Sequence, residues 1–192
     1  MIRGILLLAA WSGVASAVEL HIQFGALERM LGEQVFTQEG RRYVHGSKAN
    51  KCNFAYLEKP QVRGEGGRLR MKARFTGRSA LNLVGQCVGL GDAFDLVITA
   101  TPVYKNGALS LQGVKVTSEG KSGYYIRRVS EAMQASLAKD FQYGLEGEAR
   151  KLLESAGAQG GYVREARKFN VPDVRVTSDA LVLTVDFELT VK

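Results

Sequence analysis

The most distinctive feature of the chain is a change of hydrophobic period. From Ser122 to Glu154, apolar residues fall at Ile126, Val129, Met133, Leu137, Phe141, Leu145 and Leu152. Steps of three, four and seven keep one face of a helix that turns every ~3.6 residues. The spacing predicts one long amphipathic helix, capped at Ser122 and stopped at Gly157. At ~1.5 Å per residue it would run about 50 Å. Ala132, Ala135, Ala138 and Ala149 leave its flanks narrow enough for a close neighbour. Gly144 and Gly147 each cost ~1 kcal/mol relative to Ala inside a helix and mark a bend or a close contact.

Elsewhere the period is two. Val18, Leu20 and Ile22 alternate with Glu19, His21 and Gln23, and Leu27, Met30, Leu31 and Val35 then suit a short helix. Cys52, Phe54 and Tyr56 share a strand face that Pro60 ends or sets on an edge. Leu69, Met71, Ala73 and Phe75 point inward, with Arg68, Arg70, Lys72 and Arg74 outward. Ser79 to Val88 continues that strand through a bend. Phe94, Leu96, Ile98 and Ala100 form another inward face, and Leu181 to Val191 alternates over eleven residues. Gly64–Gly67 and Asn106-Gly107 are hairpin signals, and Gly113 marks a bulge. The pattern predicts an α+β fold: a strongly curved antiparallel sheet wrapped around one long C-terminal amphipathic helix, plus a short N-terminal helix. Residues 18–192 read as a single domain.

Composition sets the compartment. Arg3, the apolar run Ile5–Val14 and Ala15-Ser16-Ala17 read as a cleaved secretory signal over 1–17, too short for an ordinary membrane span. The expected location is the periplasm or the exterior, with no cysteine after the apolar run to carry a lipid. Lys and Arg number 26 against 19 Asp and Glu, a formal +7, or +6 without Arg3. An exported basic protein suits anionic lipid head groups, acidic polysaccharide or nucleic acid, and solubility alone also accounts for the excess. Cys52 and Cys87 are expected to pair after export.

Catalytic signatures are missing. Gly120-Lys121-Ser122 sits where a phosphate loop would, but Lys115 occupies the position of its first glycine. No G-x-S-x-G elbow occurs. His21 and His45 fall in a strand and near a turn, and Asp92, Asp95, Asp186 and Glu188 lie on outward faces or loops. The expectation is no enzyme, no metal and no cofactor. The basic strand Arg68–Arg74 reads first as the wet face of a sheet. Arg78, Arg127 and Arg128 would extend it into a patch for anionic head groups. The outward positions carry no aromatic side chains, which argues against nucleic acid.

The order of these elements resembles the bacterial YceB-like periplasmic proteins, themselves similar to one half of the tubular lipid-binding (TULIP, BPI-like) modules. The likeness is carried by Leu20-His21-Ile22 running into Leu27–Leu31, by Asp95–Thr101 ending at Pro102-Val103-Tyr104, by Asn106–Leu111, and by the Ile126–Leu145 stripe. The resemblance implies a cleft between helix and sheet that holds acyl chains. The first function expected is therefore binding of lipid or another apolar small molecule in the periplasm, in envelope lipid transport or homeostasis. Met71, Phe75, Phe94, Met133, Leu137 and Phe141 are the candidate lining, and Lys121 and Arg128 the head-group candidates. Peripheral contact with an anionic membrane surface accompanies that reading. The alternative is a non-catalytic structural or protein-interaction module of the envelope with a filled core and an envelope protein partner.

Overall fold

The computed structural model describes residues 17–155 and 163–192. The expected export signal falls almost wholly outside them, as does Gly157. Period-two segments pair as antiparallel neighbours in two sheets. The smaller has order β1-β9-β8, with β1 (Val18–Gln23), β8 (Arg164–Val176) and β9 (Ala180–Val191). The larger runs β2-β3-β4-β5-β6-β7: β2 (Arg41–His45), β3 (Asn53–Glu65), β4 (Arg68–Leu83), β5 (Gln86–Lys105), β6 (Ala108–Glu119) and the short β7 (Gln142–Tyr143).

Turn chemistry sets the register. Gly66-Gly67, Val84-Gly85 and Asn106-Gly107 each place two consecutive residues at positive φ, the pattern of two-residue hairpin turns. The glycine-bearing turns at 66–67 and 106–107 match the sequence signals. Pro60 does not end β3. The strand absorbs it as a bulge between Glu58 and Gln61, and Glu28 of α1 (Phe24–Gln34) accepts the Val62 N–H at 2.6 Å. Gly113, at φ +57, lies opposite the register shift between Thr99 and Thr101.

The single long helix is not present, which corrects the expected fold class. Strand dominates, the helices are three and short, two of them in place of the rod, and the last element is a strand. The predicted segment divides into α2 (Tyr124–Asp140), β7 and α3 (Leu145–Ser155). Phe141 turns extended at φ −79°, ψ 105°, Gln142 and Tyr143 pair with Ser110 and Leu109, and the Glu146 N–H donates to Gly107 O at 3.0 Å. The reason for the break is that the stripe serves two cores. Ile126, Val129, Met133 and Leu137 pack with Phe75, Phe94, Leu96 and Ile98, whereas Leu145 packs with Val62, Val171, Leu181 and Leu183. One straight rod cannot supply both. Ser122 makes no cap. Gly123 is the N-cap, without a side-chain hydrogen bond. Ala132, Ala135 and Ala138 face solvent, and among the described residues no element packs on their narrow flank.

The two cores meet at α1, where Leu31 packs against both together with Met71 of β4. α2 lies along β6, and Gln134 Oε1 accepts the Val116 N–H at 3.2 Å, covering a strand edge that would otherwise be open. Arg150 of α3 donates to Ala166 O of β8. Among the described residues no helix is long and apolar enough to cross a membrane.

Candidate functional site

The inward faces of β4 and β5 carry most of the candidate lining residues. Phe75 and Phe94 are opposite each other in register, with ring centroids 4.9 Å apart. They are 2% and 1% exposed, and Met133 of α2 is 8% exposed in the same cluster. Met71 and Leu137 pack against that cluster at its edge, half-buried. Five of the six candidate lining residues are thus brought together as contacting side chains. Phe141 is apart from them, at the helix break and exposed. Close contact of this kind is how a protein interior fills its space.

The head-group candidates are separated as well. Arg128 pairs with Glu131 one turn along α2 at 3.3 Å. The Lys121 ammonium donates to Asp92 and to the Ala93 carbonyl. That hydrogen bond, with a second from the Ala93 N–H, holds the Asp92 carboxyl below its ordinary range. The Tyr125 phenol is pushed up, by burial first and then by the Asp92 charge.

The basic strand is a neutralised ladder. Arg70 Nε lies 3.2 Å from Glu65, Lys72 bridges Asp95 at 3.1 Å and Glu119, and Arg74 Nη1 lies 3.1 Å from Asp95. The hydrogen bonds from Lys72 keep both Asp95 and Glu119 ionised below their usual range. This is the wet-face reading, with acids supplied by strands far away in sequence.

Sequence reasoning missed the outer end of the β4–β5 hairpin. β3 leaves β4 after Ser79, and β6 meets β5 only from Asp95 onward. Between those points the two strands project alone as an arm. The register has no shift along β4–β5, so Leu81, Leu83, Val88 and Leu90 share the face of Phe75 and Phe94. There the core has ended, and these four are 53–77% exposed, with Val84 at the apex fully exposed. Cys52, just before β3, is bonded to Cys87 in the returning strand, with Cα atoms 5.2 Å apart, as expected from the sequence. At the base of the arm is an open depression of about 590 Å³, lined by Phe54, Gly77, Arg78, Gly89, Asp92 and Lys121 among others. The uncharged stretch at 79–90, rich in Leu and Val, was the available signal. Only its exposure was invisible.

His21 pairs with Glu19 at 3.3 Å on an exposed strand, and His45 is exposed on β2. Among the described residues no three His, Cys, Asp or Glu side chains group as metal ligands. No protein-family model matches this sequence, and none of the curated proteins is significantly similar to it.

Proposed function

We propose that this chain is a non-catalytic interaction module of an oxidising compartment outside the cytoplasm, such as the periplasm, and that it acts through its surface. The supporting observation is the filled interior. The side chains of Phe75, Phe94 and Met133, which a ligand cleft would leave uncovered, contact one another and are at most 8% exposed. The disulfide fits such a compartment, because thiols stay reduced in most cytoplasms. A surface-acting module needs an uncovered apolar feature, and the β4–β5 arm supplies one.

The carrier of lipid or another apolar ligand is the second reading, and it draws on the seam between the cores. Leu31 and Met71 pack against both clusters and remain half-buried, so a ligand there would have to part α1 from β4. The likeness to tubular lipid-binding modules belongs to this reading. Solvent extraction of the purified protein, followed by mass spectrometry and by titration with a fluorescent fatty acid, separates the two. The module reading expects no stoichiometric lipid and no saturable uptake. One tightly held lipid per chain would replace it with the carrier.

A further inference from the structure

The arm has three properties that belong together. None of residues 79–91 is charged. Leu81, Leu83, Val84, Val88 and Leu90 are all more than half exposed. Its apex is also built against local preference. Val84 stands at φ +50 in the first central position of the turn, followed by Gly85 at φ +82. Asn is the residue that position favours, and a β-branched side chain at positive φ is an outlier. The turn is otherwise well made, with Asn82 Oδ1 accepting the Gly85 N–H at 3.0 Å. Strain kept at an exposed tip points to a use for the apolar side chain there.

The flank and base of the arm differ in kind. Lys51 adjoins Cys52, which is bonded to Cys87, opposite Asn82 and one pair from the Leu83–Gln86 rung at the turn. Arg78 Nη2 donates to Cys87 O at 3.1 Å, and Lys121 lines the depression beside it. The Tyr125 hydroxyl lies over Gly77, which brings the first turn of α2 to the same place. That turn carries exposed Tyr124, with the Arg127 guanidinium 5.6 Å from its ring centroid. Among the described residues, Lys51, Arg78 and Arg127 have no carboxylate partner, and Asp92 is the one acid in the depression, held by Lys121. An uncharged apolar tip above a collar of cations and a tyrosine complements an anionic bilayer, with acyl chains for the tip and phosphates for the collar.

Dimensions favour a lipid surface over a protein one. Four residues of paired strand beyond Ser79 make an arm ~14 Å long and ~10 Å wide. Such a face is far smaller than the roughly 800 Å² per partner of a stable protein interface. The same length crosses a head-group layer of roughly 5–8 Å. The outer backbone edges of both strands are unpaired beyond β3 and β6, and unpaired amides cannot enter hydrocarbon cheaply. Insertion therefore stops at the apex, around Leu83 and Val84.

We infer that the β4–β5 arm is a membrane-docking hairpin, which seats Leu83 and Val84 among the acyl chains of an anionic bilayer while Lys51, Arg78 and Arg127 meet the phosphates. This rests on the surface-acting reading above and names its partner. The disulfide presents the arm already ordered, so docking does not have to pay for folding it.

The test is co-sedimentation of the full chain with phosphatidylglycerol–phosphatidylcholine vesicles and with pure phosphatidylcholine vesicles. Binding is expected to the anionic vesicles only, and to fall at 1 M salt, where the Debye length is ~3 Å. The double variant L83T/V84N removes the apolar tip while giving the turn a residue it prefers. It should fold at least as stably and lose binding by about tenfold or more. Val84→Trp in a Trp11→Phe background carries the only tryptophan, and its emission should shift to the blue on adding anionic vesicles. Equal binding by L83T/V84N, no shift at position 84, or a self-associated protein that this variant makes monomeric would overturn the inference. Those results are separate from the lipid-extraction test, which judges the filled interior alone.

Discussion

Replacing Cys52 and Cys87 with serine removes a cross-link between residues 35 apart. In the chain-entropy account, closing a loop of that size withholds ~13 cal/mol/K from the unfolded chain, or about 3.8 kcal/mol at 25 °C. Two features of the fold bear on the figure. The loop encloses all of β3 and β4, joined at Gly66-Gly67, and residual hairpin in the unfolded chain would shorten the effective loop. Both cysteines are half-buried, so the serine hydroxyls keep access to water and add little desolvation cost. A loss of about 3–4 kcal/mol follows. Urea unfolding of the oxidised parent and of C52S/C87S measures it as a drop in midpoint at similar slope. A loss below about 1 kcal/mol would refute the reasoning, since the loop would then be closed in the unfolded chain without the bond.

Other outcomes follow from single contacts. A Cβ on Gly64 would stand 1.7 Å from the Thr177 carbonyl oxygen, where β3 meets the β8–β9 turn, and backbone cannot rotate away. Gly64→Ala should cost at least ~1–3 kcal/mol in thermal or urea unfolding. Asp95 and Glu119 have folded pKa values below their unfolded ones, because Lys72 donates to both. Their contribution is present above the unfolded values near 4 and is lost as pH falls through the folded ones. Stability should therefore drop on acidification below about pH 4.5, and D95N/E119Q should flatten that drop in a pH series of unfolding midpoints.

The strands were legible because each sheet has a buried and a wet face. Leu69–Phe75 against Arg68–Arg74 could be assigned from alternation alone, and Asn106-Gly107 named its own turn. The helix was misread because periodicity records a stripe and not what the stripe faces. Met133 and Leu145 fit one helical face equally well, yet they pack into different cores. The basic strand looked like a patch because its acids are distant. Glu119 arrives through the Asp95↔Glu119 register, and Glu65 sits across the turn. The arm escaped notice for a related reason. Ser79 to Leu90 carries the pattern of a buried strand face, and only tertiary structure shows that its apolar side chains are exposed. Five of the six lining candidates pack in one cluster, as large inward residues do whether or not a cavity lies between them.

The claim at the centre of this account is that helix and sheet meet without a space between them. Urea unfolding of Phe94→Ala tests it most directly. In a filled core, truncating a side chain 1% exposed and packed against Phe75 leaves a void. The predicted loss is about 3–5 kcal/mol, with no gain in fatty-acid binding. A loss under about 1 kcal/mol would mean that Phe94 already borders empty space, and would contradict the filled interior.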